Sequence, residues 1–176
     1  MKIAAVVALA LCALPAGSLA DSTKVTHGMI EAMQQGLDQK LARLWPQDPV
    51  ELVGPSLGTY LQGYGAVFLS EVNIAPAPGI SPFHPTVSAD EIRRTHEKKI
   101  QRMDAIRTAM RGMLVDSARS LDSLPGDEQV ALGFSLFYWK WENREGLPAQ
   151  IVMHAQRKAL LQAGSAEQAS VITEEF

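Results

Sequence analysis

The chain has 176 residues, of which 47% are hydrophobic and 20% charged, with a net charge of −3 and one cysteine. This length suits one domain with a sizeable core. The charge gives no whole-protein pull toward nucleic acid, and a lone cysteine excludes an internal disulfide framework.

The N-terminus carries Lys2, an apolar run from Ile3 to Leu14, the breaker Pro15 and the small-residue sequence Ser18-Leu19-Ala20. This is the three-part layout of a secretory signal peptide. The expectation is a leader over 1–20 and a single exported domain over 21–176, periplasmic or secreted. The run is shorter than the ~20 residues of a permanent membrane span, so the mature chain is expected to be soluble. Leu11 before Cys12 argues against a lipoprotein cleavage site.

From Ser22 to Trp45, Val25, Met29, Ile30, Met33, Leu37, Leu41 and Leu44 recur at intervals of three and four. That spacing predicts an amphipathic helix docked on a sheet, capped by Ser22 or Thr23 and ended by Pro46. Val50 to Val53 reads as a short strand. Gly54-Pro55-Ser56-Leu57-Gly58 then matches the glycine-x-serine-x-glycine nucleophile elbow. An elbow needs a helix after the serine and a histidine oriented by a carboxylate. The stretch after Ser56 is rich in glycine and aromatics instead, so a plain turn is the simpler reading; the catalytic one requires His154 with Asp116, Asp122 or Asp127.

Thr59 to Asn73 is the densest cluster of strand formers and is expected to be the central strand. Gly63-Tyr64-Gly65 lacks the third glycine and helix of a dinucleotide fingerprint. Alternation puts Ala66, Phe68, Ser70, Val72 and Ile74 on one face and Val67, Leu69, Glu71 and Asn73 on the other. Both faces begin apolar, which predicts cover on both sides, with Glu71 and Asn73 emerging toward solvent or a cleft. Glu71 is a candidate general base or metal ligand, with a solvated strand end as the plainer alternative.

Tyr60-Leu61-Gln62-Gly63-Tyr64-Gly65-Ala66-Val67-Phe68, the long charged helix C-terminal to it and the Leu-Pro-x-x-Glu-x-Val pattern at Leu124 to Val130 resemble a group of uncharacterised exported bacterial proteins. The resemblance covers about half of the mature chain. It implies bacterial export and an α+β arrangement, and brings no activity or site residues.

Pro76, Pro78, Pro82 and Pro85 stiffen a connection from Ala75 to Val87, in which His84 stands without metal-ligand spacing. Ser88-x-x-Glu91 is a capping box for a helix from Ala89 to about Leu121. Its stripe holds Ile92, Ile100, Met103, Ile106, Met110, Leu114 and Leu121, with His96 at the boundary. Between Arg93 and Arg111, the cations Arg93, Arg94, Lys98, Lys99, Arg102, Arg107 and Arg111 face only Glu97 and Asp104. The result is a basic ridge, suited to an acidic protein, a polyanion or an anionic envelope surface, or simply solvated.

Val130, Leu132, Phe134, Leu136 and Tyr138 alternate with Ala131, Gly133, Ser135, Phe137 and Trp139, which predicts a strand whose small residues admit a helix. Trp139 and Trp141 crowd its end, as an architectural edge or a platform for a sugar or peptide. Ile151, Met153 and Ala155 predict a third strand paired with the second, then a short helix over Arg157 to Leu161; one helix over 149–163 is the alternative. Ser170 to Phe176 is an edge strand or a frayed end.

These readings combine into an α+β domain with a three- or four-stranded antiparallel sheet packed against an N-terminal helix and one long central helix. No cofactor or metal set is complete. The expected role is a noncatalytic interaction protein binding through Arg93, Arg94, Lys98, Lys99 and Arg102 or the Trp139/Trp141 edge. The alternatives are a small hydrolase using Ser56 or Glu71, and a ligand-binding module at the aromatic edge.

Overall fold

Thr26 starts the first helix, its hydroxyl accepting from the Met29 N–H, one of the donors that a helix start leaves free. In this computed structural model, which describes residues 24–77, 79, 82 and 85–176, that helix is α1, His27–Ala42. It buries Ile30, Met33, Leu37 and Leu41, the stripe that its spacing predicts. The leader-like segment, Cys12, the proposed caps Ser22 and Thr23, and His84 lie outside the described residues.

The described residues form six strands: β1 Glu51–Leu52, β2 Leu57–Leu61, β3 Gly65–Asn73, β4 Gln129–Leu136, β5 Gln150–Gln156 and β6 Ile172–Glu175. The helix α2, Ala89–Ser120, separates β3 from β4, and α3, Arg157–Gln162, comes directly after β5. The sheet runs β1-β3-β4-β5-β6, with β2 also paired to β3. It is larger than expected and mixed. β3 and β4 are parallel, because α2 carries the chain back across the sheet before β4 begins; the other pairings are antiparallel.

Thr59 to Asn73 is a hairpin rather than one strand. Leu61 pairs with Gly65, and Gly65 turns the corner at φ +138. A Cβ there would sit 1.9 Å from the Gln129 carbonyl oxygen, so the β3–β4 pairing starts at a position that only glycine fits. The turn expected at Gly54–Gly58 is only partly a turn, since Leu57 and Gly58 already pair with Leu69 and Phe68. A Cβ on Gly58 would meet Phe68 and Ile30 within 2.8 Å, which shows how closely α1 lies on this hairpin.

All three helices cover the same side of the sheet. Its rows run Gly58–Phe68–Leu132–Met153 and Ser70–Phe134–Ile151, and Phe68, Leu132, Phe134, Ile151 and Met153 are buried there with Ile106, Met110 and Leu114 of α2. At 32 residues, α2 is about 48 Å long, longer than the strands it crosses. Its capping box forms as expected, Ser88 Oγ accepting from Glu91 N while Glu91 accepts from Ser88 N.

Candidate functional site

Among the described residues, no helix lies over the opposite side of the sheet. Cross-strand pairing aligns Leu57, Leu69, Gly133, Val152 and Glu174 in one row, and Thr59, Val67, Ala131, His154 and Ile172 in the next. Val53, Glu71, Ser135, Gln150 and Phe176 continue the set through the bonds from Val53 N to Glu71 O and from Phe176 N to Gln150 O. Leu57 is 64% exposed, Leu69 46%, Ile172 58% and Phe176 67%. Of the ten large hydrophobic side chains left exposed among the described residues, six lie on this face: these four, Val53 and Leu61.

Among the described residues, no helix supplies the two-sided cover expected for β3, and Leu69 and Glu71 are exposed. Ala66, Phe68, Ser70 and Val72 are packed against the core. The small residues of β4 do not admit a helix either; Leu69 lies over Gly133, its Cδ2 2.6 Å from where a Cβ would stand. A depression of about 510 Å³ opens on this face, lined by Gly54, Pro55, Leu57, Leu69, Ser70, Glu71 and Ser135. Glu71 is exposed, and its carboxylate has no hydrogen-bond or ion-pair partner among the described residues. Asn73 does not emerge beside it. Asn73 is buried, donating to Glu51 and accepting from the Ala75 N–H.

Ser56 lies on the packed side. Its hydroxyl is buried 2.6 Å from Ser70 Oγ, its N–H donates to Asp38 and its carbonyl accepts from Gln34 of α1. His154 stands on the open side, its Nδ1 3.5 Å from Gln129 Oε1. The sheet separates Ser56 from both Glu71 and His154, and Glu71 stands two strands and two rows from His154, so the three do not converge. Asp116 is held by Lys40, 2.7 Å away. Among the described residues no three histidine, cysteine, aspartate or glutamate side chains are grouped to hold a metal ion.

The seven cations between Arg93 and Arg111 are largely engaged. Arg93 pairs with Asp90 and Glu97, Lys98 with Asp48, and Arg107 with Glu175 and Asp104. Arg111 donates to the Ala169 carbonyl. Arg102 is buried, donating to the Ile74 carbonyl and to Asp48 while stacking 4.4 Å from the Trp45 ring. Lys99 is sealed inside, donating to the Phe137 carbonyl beside Glu142. Arg94 is exposed without a partner among the described residues. Lys98 beside Asp48 holds that carboxyl below its ordinary range, aided by Arg102 and opposed by desolvation.

The aromatic edge borders the open face. Phe137 comes after Ser135 on the same side by alternation, and its ring meets Trp139 edge-on with centroids 5.1 Å apart. A Cβ on Gly79 would reach the Trp139 ring at 3.5 Å, so Gly79 lies beside that ring. Trp141 is half-buried, and its Nε1 is enclosed with no partner among the described residues.

Sequence reasoning missed Leu57, Leu61, Ile172 and Phe176 as surface determinants. The alternation Leu57-x-Thr59-x-Leu61 was the available signal, masked by the glycine and proline around it. No family model, curated protein or solved structure matches the chain.

Proposed function

We propose that the chain is a noncatalytic, exported interaction module that docks a partner protein on the open face of its sheet. One observation carries this reading: among the described residues, six of the ten exposed large hydrophobic side chains lie on the sheet face that no described helix covers. Scattered exposed apolar residues are ordinary, whereas a contiguous patch marks an interaction surface. A sheet face that is apolar needs a covering layer. Export rests on the leader-like pattern of residues 1–20 and on the resemblance carried by Tyr60 to Phe68.

A photo-crosslinking residue placed at Leu69 or Ile172, in the compartment where the protein accumulates, is expected to give partner adducts. The same residue at Arg94 on α2 is expected to give few. Equal adducts from Arg94 would move the interface to the basic helix, and accumulation in the cytoplasm would remove the export reading.

A second reading rests on Trp139, whose exposed ring stands at the border of this face beside Phe137. A small apolar or sugar ligand seated there would quench tryptophan fluorescence, and Trp139→Phe would abolish the change.

A further inference from the structure

We infer that the occupant of the open face is one basic amphipathic helix of a partner protein; the inference rests on the docking role proposed above for this face. Two properties of the face select it. The first is charge: the strand positions on this side include Glu71 and Glu174, both exposed, and no lysine or arginine. An anionic lipid surface or an acidic protein meets repulsion there, and a cationic partner meets attraction.

The second is size. β3 to β6 with β2 give five strands across, about 19 Å, and Gly65 to Glu71 gives about 20 Å along, a footprint near 400 Å². A second copy laid face to face would set one face carrying Glu71 and Glu174 against another, acid against acid. A single helix, ~10 Å in diameter, fits the width and, laid between β3 and β6, covers Leu69 and Val152, with Leu57 beside Leu69 at the β2 edge.

The placement of the carboxylates sets the pattern of that helix. Glu71 and Glu174 stand on strands three apart and in adjacent rows, a diagonal of about 16 Å. Eleven helical residues rise about 16 Å and return to the same side of the helix. The fitting partner therefore carries lysine or arginine at i and i+11, with leucine-like residues at i+4 and i+7 between them.

The test uses the full chain and two synthetic helical peptides of about five turns, about 18 residues: one with lysine at i and i+11, one with glutamate there. Fluorescence anisotropy is read on wild type, Glu71→Lys/Glu174→Lys and Leu57→Ser/Leu69→Ser, with melting curves to show that each variant is folded. The lysine peptide is expected to bind wild type at least about tenfold tighter than the glutamate peptide, and to lose about that factor on the charge-reversed variant. Equal binding of both peptides, or no loss on charge reversal, overturns the basic-helix inference while leaving the docking face if Leu57→Ser/Leu69→Ser still weakens binding. Binding unchanged by Leu57→Ser/Leu69→Ser overturns the docking face itself. No binding of either peptide, or a dimer in sedimentation that Leu57→Ser/Leu69→Ser disperses, overturns the inference, the latter in favour of a second copy.

Discussion

Lys99 Nζ of α2 lies 2.5 Å from Glu142 Oε2, with the lysine side chain 0% and the glutamate side chain 2% exposed. The lysine belongs to α2 and the glutamate to the segment after β4, which His96 Nδ1 also meets at the Asn143 carbonyl, 3.1 Å away, and Glu142 Oε1 also accepts from Trp139 N. The ammonium sits 4.4 Å from the Tyr138 ring centroid, with the Arg144 guanidinium 5.4 Å from the same ring. Burial pushes the lysine below its ordinary pKa, against the pull of Glu142. The same burial, with the Glu142 charge, pushes the Tyr138 phenol up to about 12. This pair pins the aromatic segment after β4 to the helix.

Removing one member leaves the other charge buried and unpaired. Lys99→Met is expected to cost about 3–5 kcal/mol in urea unfolding, and Lys99→Met/Glu142→Leu distinctly less than the sum of the two single changes. Strict additivity would mean that the pair is not coupled.

The two faces of β3 differ in their dependence on side-chain volume. Phe68→Ala opens a cavity in the packed core and is expected to lose about 3–5 kcal/mol, whereas Leu69→Ala, one residue away on the open face, stays within about 1 kcal/mol. Comparable losses would show that the open face is covered within the domain itself.

Gly65→Ala is expected to destabilise more than ordinary alanine replacement, because the new methyl meets the Gln129 backbone in a left-handed conformation. Gly28→Ala in α1 has open space at its Cβ and is expected to stabilise by up to about 1 kcal/mol. The difference in urea midpoints checks both.

Arg107 donates from Nε and Nη2 to the two Glu175 oxygens at 2.7 and 2.9 Å. Those bonds hold the carboxyl below its usual value of 4.5, against desolvation. A depressed acid contributes stability that is present above 4.5 and lost as the pH falls through the lowered folded value. Glu175→Gln is therefore expected to lower the melting temperature at neutral pH and to flatten its decline on acidification. An unchanged acid limb would count against the pair, which is partly solvated and screened.

Ser56 is expected to resist serine-directed phosphonylating probes, since its hydroxyl is buried against Ser70. Ser56→Ala leaves Ser70 Oγ without that partner and is expected to cost about 1–3 kcal/mol in urea unfolding. Labelling at Ser56 would revive the hydrolase reading.

Periodicity alone determined the helices and most strands. The three- and four-residue spacing from Ile30 to Leu41, the capping box at Ser88 and the alternation of Val130 to Leu136 each report a local choice that the chain makes from its own side chains. For β5, the short helix after it and β6, the sequence left one helix over 149–163 and a frayed end as alternatives, and the structure has the strand, the short helix and the edge strand. The parallel pairing of β3 with β4 was not legible, because it depends on where α2 returns the chain.

Which face of β3 would be bare could not be read either, since Val67 and Leu69 are as apolar as the positions that are packed. Only the tertiary structure placed all the helices on one side, buried Lys99 and Arg102 out of the basic ridge, and set Ser56 and His154 on opposite sides of the sheet. Alternation tells that two faces exist; which one water keeps is a property of how the helices pack.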